Sequence, residues 1–202
     1  MVGSDLKVAK QCRKVVDTAN RVLGMIYRIF TYRTSEVLLP LYKSLVRPHL
    51  EYCIQAWRPF LKKDIDLLEK VQRRATRMIC DIQKLNYEDR LSYQGLTTLK
   101  TRRLRGDVIH AFKIVKESGG KELNNYFKLA SNNLRGHSLK LCKPRCNLNV
   151  RKFAFSNRVV DEWNLLEQYV IDSSTTNTFK KNLGKYLTSW RGLYRSFRPS
   201  SP

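Results

Sequence analysis

DLKVAKQCRKVVDTANRVLGMIYRIFT (residues 5–31) sets Val8, Cys12, Val15, Ala19, Val22, Ile26 and Ile29 in alternating steps of four and three. At 3.6 residues per turn that spacing predicts one helix with a single apolar stripe, and the stripe needs a partner surface to cover it. A second stripe runs beside it, because Lys7, Lys14, Arg21 and Arg28 recur every seven residues. Any one of these cations reads best as the solvated flank of a core helix. Four in register form a rail suited to tracking a phosphate backbone.

Outward from this helix the chain keeps the same period. SEVLLPLYKSLVRPHLEYCIQAW (35–57) predicts a second helical region with Ser35 as N-cap. Pro40 and Pro48 are expected to kink or divide it, each lacking an amide donor. Its expected core is Leu38, Leu41, Tyr42, Leu45, Leu50, Cys53 and Trp57. Asp64 to Lys84 predicts a third helix whose buried face is Ile65, Leu68, Val71, Ala75, Met78, Ile79 and Ile82. Its early acids and later Arg73, Arg74 and Arg77 suit the helix macrodipole. NYEDRLSYQG (86–95) predicts a short helix stopped by its glycine. From Leu99 to Glu117 a further helix has Leu104, Val108, Ala111, Phe112 and Val115 on its core face. Lys100, Arg102, Arg103 and Arg105 crowd its start, where the dipole favours acids, and such placement points to a bound anion.

Past Ser118-Gly119-Gly120 the composition changes. Leu123 to Val160 contains no acidic residue, while Lys140, Lys143, Arg145, Arg151 and Lys152 accumulate. HSLKLCKPRCNLNVRKF (137–153) alternates weakly and predicts a short hairpin or an extended strap. Helical patterns return over 150–166, anchored by Phe153, Val159, Trp163 and Leu166, and over 173–190, anchored by Phe179, Leu183 and Leu187. The expected fold class is mainly α, a helical bundle followed by a short strand or extended segment and C-terminal helices. The expected divisions are a helical region at 1–118, a basic loop or hairpin connector at 119–149, a helical region at 150–190 and a disordered tail at 191–202.

The charge is the loudest number. The 202 residues hold 39 Lys and Arg against 17 Asp and Glu, a formal net charge of +22. A chain this basic repels itself without a polyanion, so nucleic acid is the first partner to consider. No apolar run approaches the roughly 18 residues of a membrane span. The N-terminus has no signal-peptide pattern. The expectation is an intracellular protein, nuclear or cytoplasmic, with no membrane partner and reduced cysteines. Cys12, Cys53 and Cys80 read as small core residues. Cys142-x3-Cys146 with His137 lacks a fourth ligand at metal-site spacing, so no metal and no cofactor is expected.

Catalytic patterns are missing too. Phosphoryl transfer needs paired carboxylates holding two metals roughly 4 Å apart, and the aspartates of this chain are never adjacent. Asp64 and Asp66 come nearest and have a capping explanation. Phosphate-loop, GxGxxG, nucleophile-elbow and HExxH patterns do not occur. His49, His110 and His137 stand apart from one another. No catalytic residue is expected.

Long strings of the chain resemble one family. LPLYKSLVRPHLEYCIQAWRP (39–59) is similar to the segment that follows the catalytic core in LINE-class, non-LTR retrotransposon reverse transcriptases of the jockey type. The likeness continues through KKDIDLLEKVQRRATRMI (62–79), LSYQGLTTLKTRRLRGDVIHAFKIVK (91–116), GHSLKLCKPRCNLNVRKFAFSNRVVDEWNLL (136–166) and SSTTNTFKKNLGKYL (173–187). DTANRVLGMIYRIF (17–30) resembles the stretch just after the palm. In that family polymerase activity resides in a palm with an aromatic-x-Asp-Asp motif, and an endonuclease lies further upstream. Neither occurs in these 202 residues. The resemblance therefore implies a thumb-like region over 1–118, the region behind it, and no catalytic role.

The function expected is a non-catalytic, sequence-independent grip on RNA, an RNA–DNA hybrid or a DNA duplex, derived from an RNA-directed DNA polymerase. The expected phosphate contacts are Lys7, Lys14, Arg21, Arg28, Lys100, Arg102, Arg103, Arg105, Lys140, Lys143, Arg145, Arg151 and Lys152. The alternative is a protein-interaction or inert remnant that self-associates through an exposed apolar helix face.

Overall fold

The computed structural model describes residues 8–117, 123–130 and 136–194. Lys7, the glycine pair at 119–120, the polar stretch at 131–133 and the tail beyond 194 lie outside the described residues. The architecture is mainly α. Its one isolated pairing of extended chain among the described residues is an antiparallel bridge between Leu129 and Leu141, and no sheet forms. The chain divides into two compact units between Leu104 and Arg105.

The first unit is built on α1 (Ala9–Ile29), α2 (Ser35–Leu41), α3 (Arg47–Glu51), α4 (Lys62–Arg77), α5 (Tyr87–Tyr93) and the start of α6 (Leu99–Phe112). Cys12, Val16, Ala19, Leu23 and Ile26 bury the inward face of α1. They join a core with Leu38, Tyr42, Val46 and Leu50 from the α2–α3 region and Leu68, Val71 and Ala75 from α4. Three pairs fix the direction of α4. Asp64 lies within electrostatic reach of Cys12, Arg74 reaches Asn20, and the Cys80 amide donates to the Arg33 carbonyl at 3.0 Å. The numbers rise together, so α1 and α4 run parallel, with α2 and α3 as the return. The apolar stripe of α1 is thus covered within the unit except at its end, where Ile29 is exposed.

Pro40 has the consequence its missing donor predicts, in a particular form. The helix does not break. It widens to i→i+5 bonding over Tyr42–Val46, then resumes as α3 with Pro48 in its first turn. The wide turn moves the buried face by one residue, so the core steps Leu38, Tyr42, Val46, Leu50. Leu45 and Cys53, both expected inside, are exposed. Ser35 is not the N-cap. Thr34 takes the flanking extended position, and the Ser35 hydroxyl accepts a bond from Gln94 Nε2 at 2.6 Å.

Between α2 and α6 a buried polar cluster fixes the helices by hydrogen bonds. Tyr42 donates to Gln72 Oε1 at 2.7 Å, and Gln72 Nε2 donates to the Tyr87 hydroxyl and the Thr97 carbonyl at 3.0 and 3.1 Å. Tyr87 donates in turn to Glu69, whose other oxygen accepts the Leu99 amide at 3.0 Å.

The second unit holds the rest of α6, a wide turn over Lys113–Glu117, the short helices α7 (Leu123–Tyr126), α8 (Asn149–Lys152), α9 (Phe155–Arg158), α10 (Val160–Asn164) and α11 (Gln168–Ile171), and α12 (Thr176–Tyr194). Between α7 and α8 the extended arm pairs with the chain after α7: the Ala130 amide donates to Lys140, and that of Cys142 to Lys128. Its core is aromatic. Phe112 stacks on Phe179 with centroids 4.1 Å apart, and Trp163 lies fully buried between Phe179 and His137. One buried ion pair fastens it, because Arg158 grips both oxygens of Asp107 at 2.9 and 3.0 Å.

Candidate nucleic-acid interface

On α1 a step of seven residues returns to nearly the same direction, so Lys14, Arg21 and Arg28 form a straight line opposite the buried stripe. All three are exposed, with Lys10 and Arg13 beside them and Asp17 as the acid on that side. On α4 the exposed positions include Lys63, Lys70 and Arg77, again seven apart, with Arg73 and Arg74 among them and Asp66 as the exposed acid. Sequence reasoning assigned the α4 arginines to helix stability. The second seven-residue repeat was the signal that could have found this rail. Arg74 Nη1 reaches Asn20 Oδ1 at 3.4 Å across the edge between the two parallel helices.

The arginines at the start of α6 are placed differently from the expectation. Lys100 is exposed. Arg102 forms a two-point pair with Glu51, its Nη2 lying 3.1 Å from Oε2, and this contact raises its pKa. Arg103 is 3% exposed. Its Nη2 donates to the Leu50 carbonyl at the carbonyl-rich end of α3, and its guanidinium lies 5.2 Å from the Trp57 ring centroid. Burial pushes its pKa down to about 10. Arg105 donates to the Lys180 carbonyl at 2.8 Å within the second unit. The amino end of α6 already has its anion, the Glu69 carboxylate on the Leu99 amide. Burial holds the Glu69 carboxyl above the usual range, against the lowering effect of Tyr87 and Leu99. The argument from misplaced charge is therefore corrected. Arg102 meets the Glu51 carboxylate, Arg103 and Arg105 donate to the Leu50 and Lys180 carbonyls, and Arg103 is no surface cation.

In the second unit Lys140 is half-buried, while Lys143, Arg145, Arg151 and Lys152 are exposed. Lys143 pairs with Asp161 across the surface. Lys143, Arg145 and Lys152 rim one hollow, and Arg151 with Lys128 rims the next. His137 is 2% exposed, its Nε2 lies 2.9 Å from the Trp163 carbonyl, and burial lowers its pKa. It anchors the arm to α10. All five cysteines are free, and among the described residues no three His, Cys, Asp or Glu side chains gather as metal ligands. Asp64 is buried and Asp66 exposed on α4, so the nearest aspartates point apart. Among the described residues no helix is long and apolar enough to cross a membrane.

The chain matches no family model, no curated protein and no solved structure. The candidate interface therefore rests on surface geometry alone: two rows of exposed cations on the first unit and two cation-rimmed hollows on the second.

Proposed function

We propose that the chain is a non-catalytic, sequence-independent nucleic-acid-binding module, of the kind that follows the catalytic core in non-LTR retrotransposon reverse transcriptases. The observation that carries the reading is the pair of seven-residue rails, Lys14–Arg21–Arg28 and Lys63–Lys70–Arg77, on parallel neighbouring helices. Fourteen residues of helix span roughly 21 Å, comparable to about six base-pair steps of 3.4 Å. Long flexible cations at such spacing suit phosphates, which position a duplex without reading its sequence.

If the six rail cations each displace one counterion, the slope of log affinity against log salt is about −5, a drop of about 10³ between 50 and 200 mM. Replacing Arg21 and Arg28 by serine lowers that slope by about 2. A titration of labelled duplex against salt measures both. A flat salt dependence defeats the reading. On the same reading, primer extension by the purified chain with magnesium yields no product.

One observation favours a second reading. Met25 and Ile29, one turn apart at the end of α1, are exposed apolar side chains. A helix docking there would bury them, and Ile29→Glu would then abolish a dimer seen by sedimentation at high salt.

A further inference from the structure

We propose that the second unit carries a separate site, a trough that takes one unpaired nucleic-acid strand between the end of α7, the arm at 142–146 and the α8–α9 corner. Two hollows, about 250 and 320 Å³ in volume, share Pro144 and Asn157, so they lie side by side. The first falls just below and the second just above the lower limit of size for small-ligand pockets, about 300 Å³. Cations stand along both: Lys143, Arg145 and Lys152 in the first, Lys128 and Arg151 in the second. Among the described residues neither hollow is lined by an acid.

Charge alone would suit any polyanion. The walls narrow the choice. Tyr126 lines the second hollow and is 48% exposed, while its ring is braced edge-on against Phe155, centroids 6.3 Å apart. A tyrosine ring held this way is a stacking platform whose ordering cost is already met by the fold. Phe127 supports it, 5.8 Å from Phe155. On the floor Asn157 is 3% exposed. Its Nδ2 donates to the Arg151 carbonyl at 2.6 Å and to Cys146 Sγ at 3.2 Å, and its Oδ1 has no partner. That unmet acceptor lies beneath the solvent-accessible surface of the floor, so it is a cost to the fold and not a contact for a ligand. Cations along the hollows and a braced aromatic ring beside them together match a nucleotide with its base turned out. A duplex offers the phosphates but keeps its bases stacked inside, away from the ring.

The site shares with the preceding reading the class of ligand and no residue, so the two can fail independently. The test uses the full chain, a fluorescein-labelled oligouridine of about ten nucleotides, and a blunt RNA duplex, both read by anisotropy. Tyr126→Ala is expected to weaken strand binding about tenfold, and Tyr126→Phe to leave it intact. Arg151→Ser with Lys152→Ser should reduce the strand's salt slope by about 1.4. None of these changes should move duplex affinity. Arg21→Ser with Arg28→Ser should do the reverse. A wild-type chain that binds strand and not duplex would refute the rails and support the trough.

Trough variants that bind strand like wild type overturn the proposal. So does equal loss of strand and duplex, or displacement of the strand by polyglutamate as readily as by unlabelled oligouridine. Photocrosslinking with an iodouridine strand tests the unsubstituted chain, where no folding defect intervenes. Adducts at Tyr126 or Phe127 are expected, and adducts confined to α1 and α4 overturn it.

Discussion

Cys53 sits at φ +53°, in the left-handed region that an L side chain enters at a cost. It follows Tyr52, the residue that caps α3, and starts the turn in which its carbonyl accepts the amides of Ala56 and Trp57. The side chain is exposed, so nothing in the core is lost with it. Cys53→Gly is expected to stabilise the chain by about 0.5–1 kcal/mol, read as a higher urea midpoint at constant slope. A lower midpoint would mean the thiol makes a contact worth more than the strain. His137 gives the residue scale its pH dependence. Burial lowers its pKa in the fold, so the unfolded chain binds the proton more readily. Stability is then complete above the ordinary histidine value of about 6.5 and is lost as pH falls through it toward the lowered one. Glu69 works oppositely, since its raised carboxyl pKa favours the fold as pH falls through the carboxylate range. The informative quantity is therefore a difference. His137→Gln should lose less stability than wild type between pH about 7 and 5, and parallel curves would remove histidine from the account.

Among the elements, α1 was legible as a helix and at Cys12, Ala19 and Ile26, but its inward face is turned so that Val16 and Leu23 are buried, Val15 and Val22 lie half-buried beside them and Ile29 is exposed. The α2–α3 region was half legible. Pro40 announced a disturbance, yet whether the helix kinks, stops or widens depends on packing that no local pattern encodes. The wide turn after it exchanged Leu45 for Val46 and put Cys53 outside. The arginines of α6 were misread for a related reason. Their partners are Glu51 and Leu50, far back in the chain, and Glu69, which caps the helix from α4. Local charge patterns register only local partners, so a cation matched from a distance looks unmatched. The α4 rail was legible and overlooked, because the macrodipole explained its arginines before the spacing of Lys63, Lys70 and Arg77 was compared with that of α1. Asp107 and Arg158 supply the sharpest expectation at this scale. Asp107 is fully buried, and removing it strands a mostly buried guanidinium. Asp107→Ala should cost about 3–5 kcal/mol in denaturant unfolding. Adding Arg158→Met should recover part of that loss, because the uncompensated charge goes with it. Additive losses would show that each side chain acts through other neighbours.

For the molecule as a whole, the net charge of +22 sets stability and binding against each other along one axis. Lysines and arginines on the faces of α1, α4 and the trough repel one another when the chain is folded and separate when it unfolds. Salt screens that repulsion over a Debye length of about 10 Å at 0.1 M. Raising sodium chloride from about 20 to 300 mM should therefore raise the melting temperature by about 2–4 °C, equivalent to about 1 kcal/mol for a chain of this size. The same salt releases bound nucleic acid. At low salt, duplex at about 100 times its dissociation constant should stabilise the fold by about 2.7 kcal/mol, and at the high end that gain should disappear. The melting curves with and without duplex must then converge as salt rises, one falling while the other climbs. A melting temperature that falls with salt in the absence of duplex would contradict this picture. It would place the dominant electrostatics in internal pairs such as Arg102–Glu51 and Arg158–Asp107, with the exposed cations too far apart to repel and too far apart to grip.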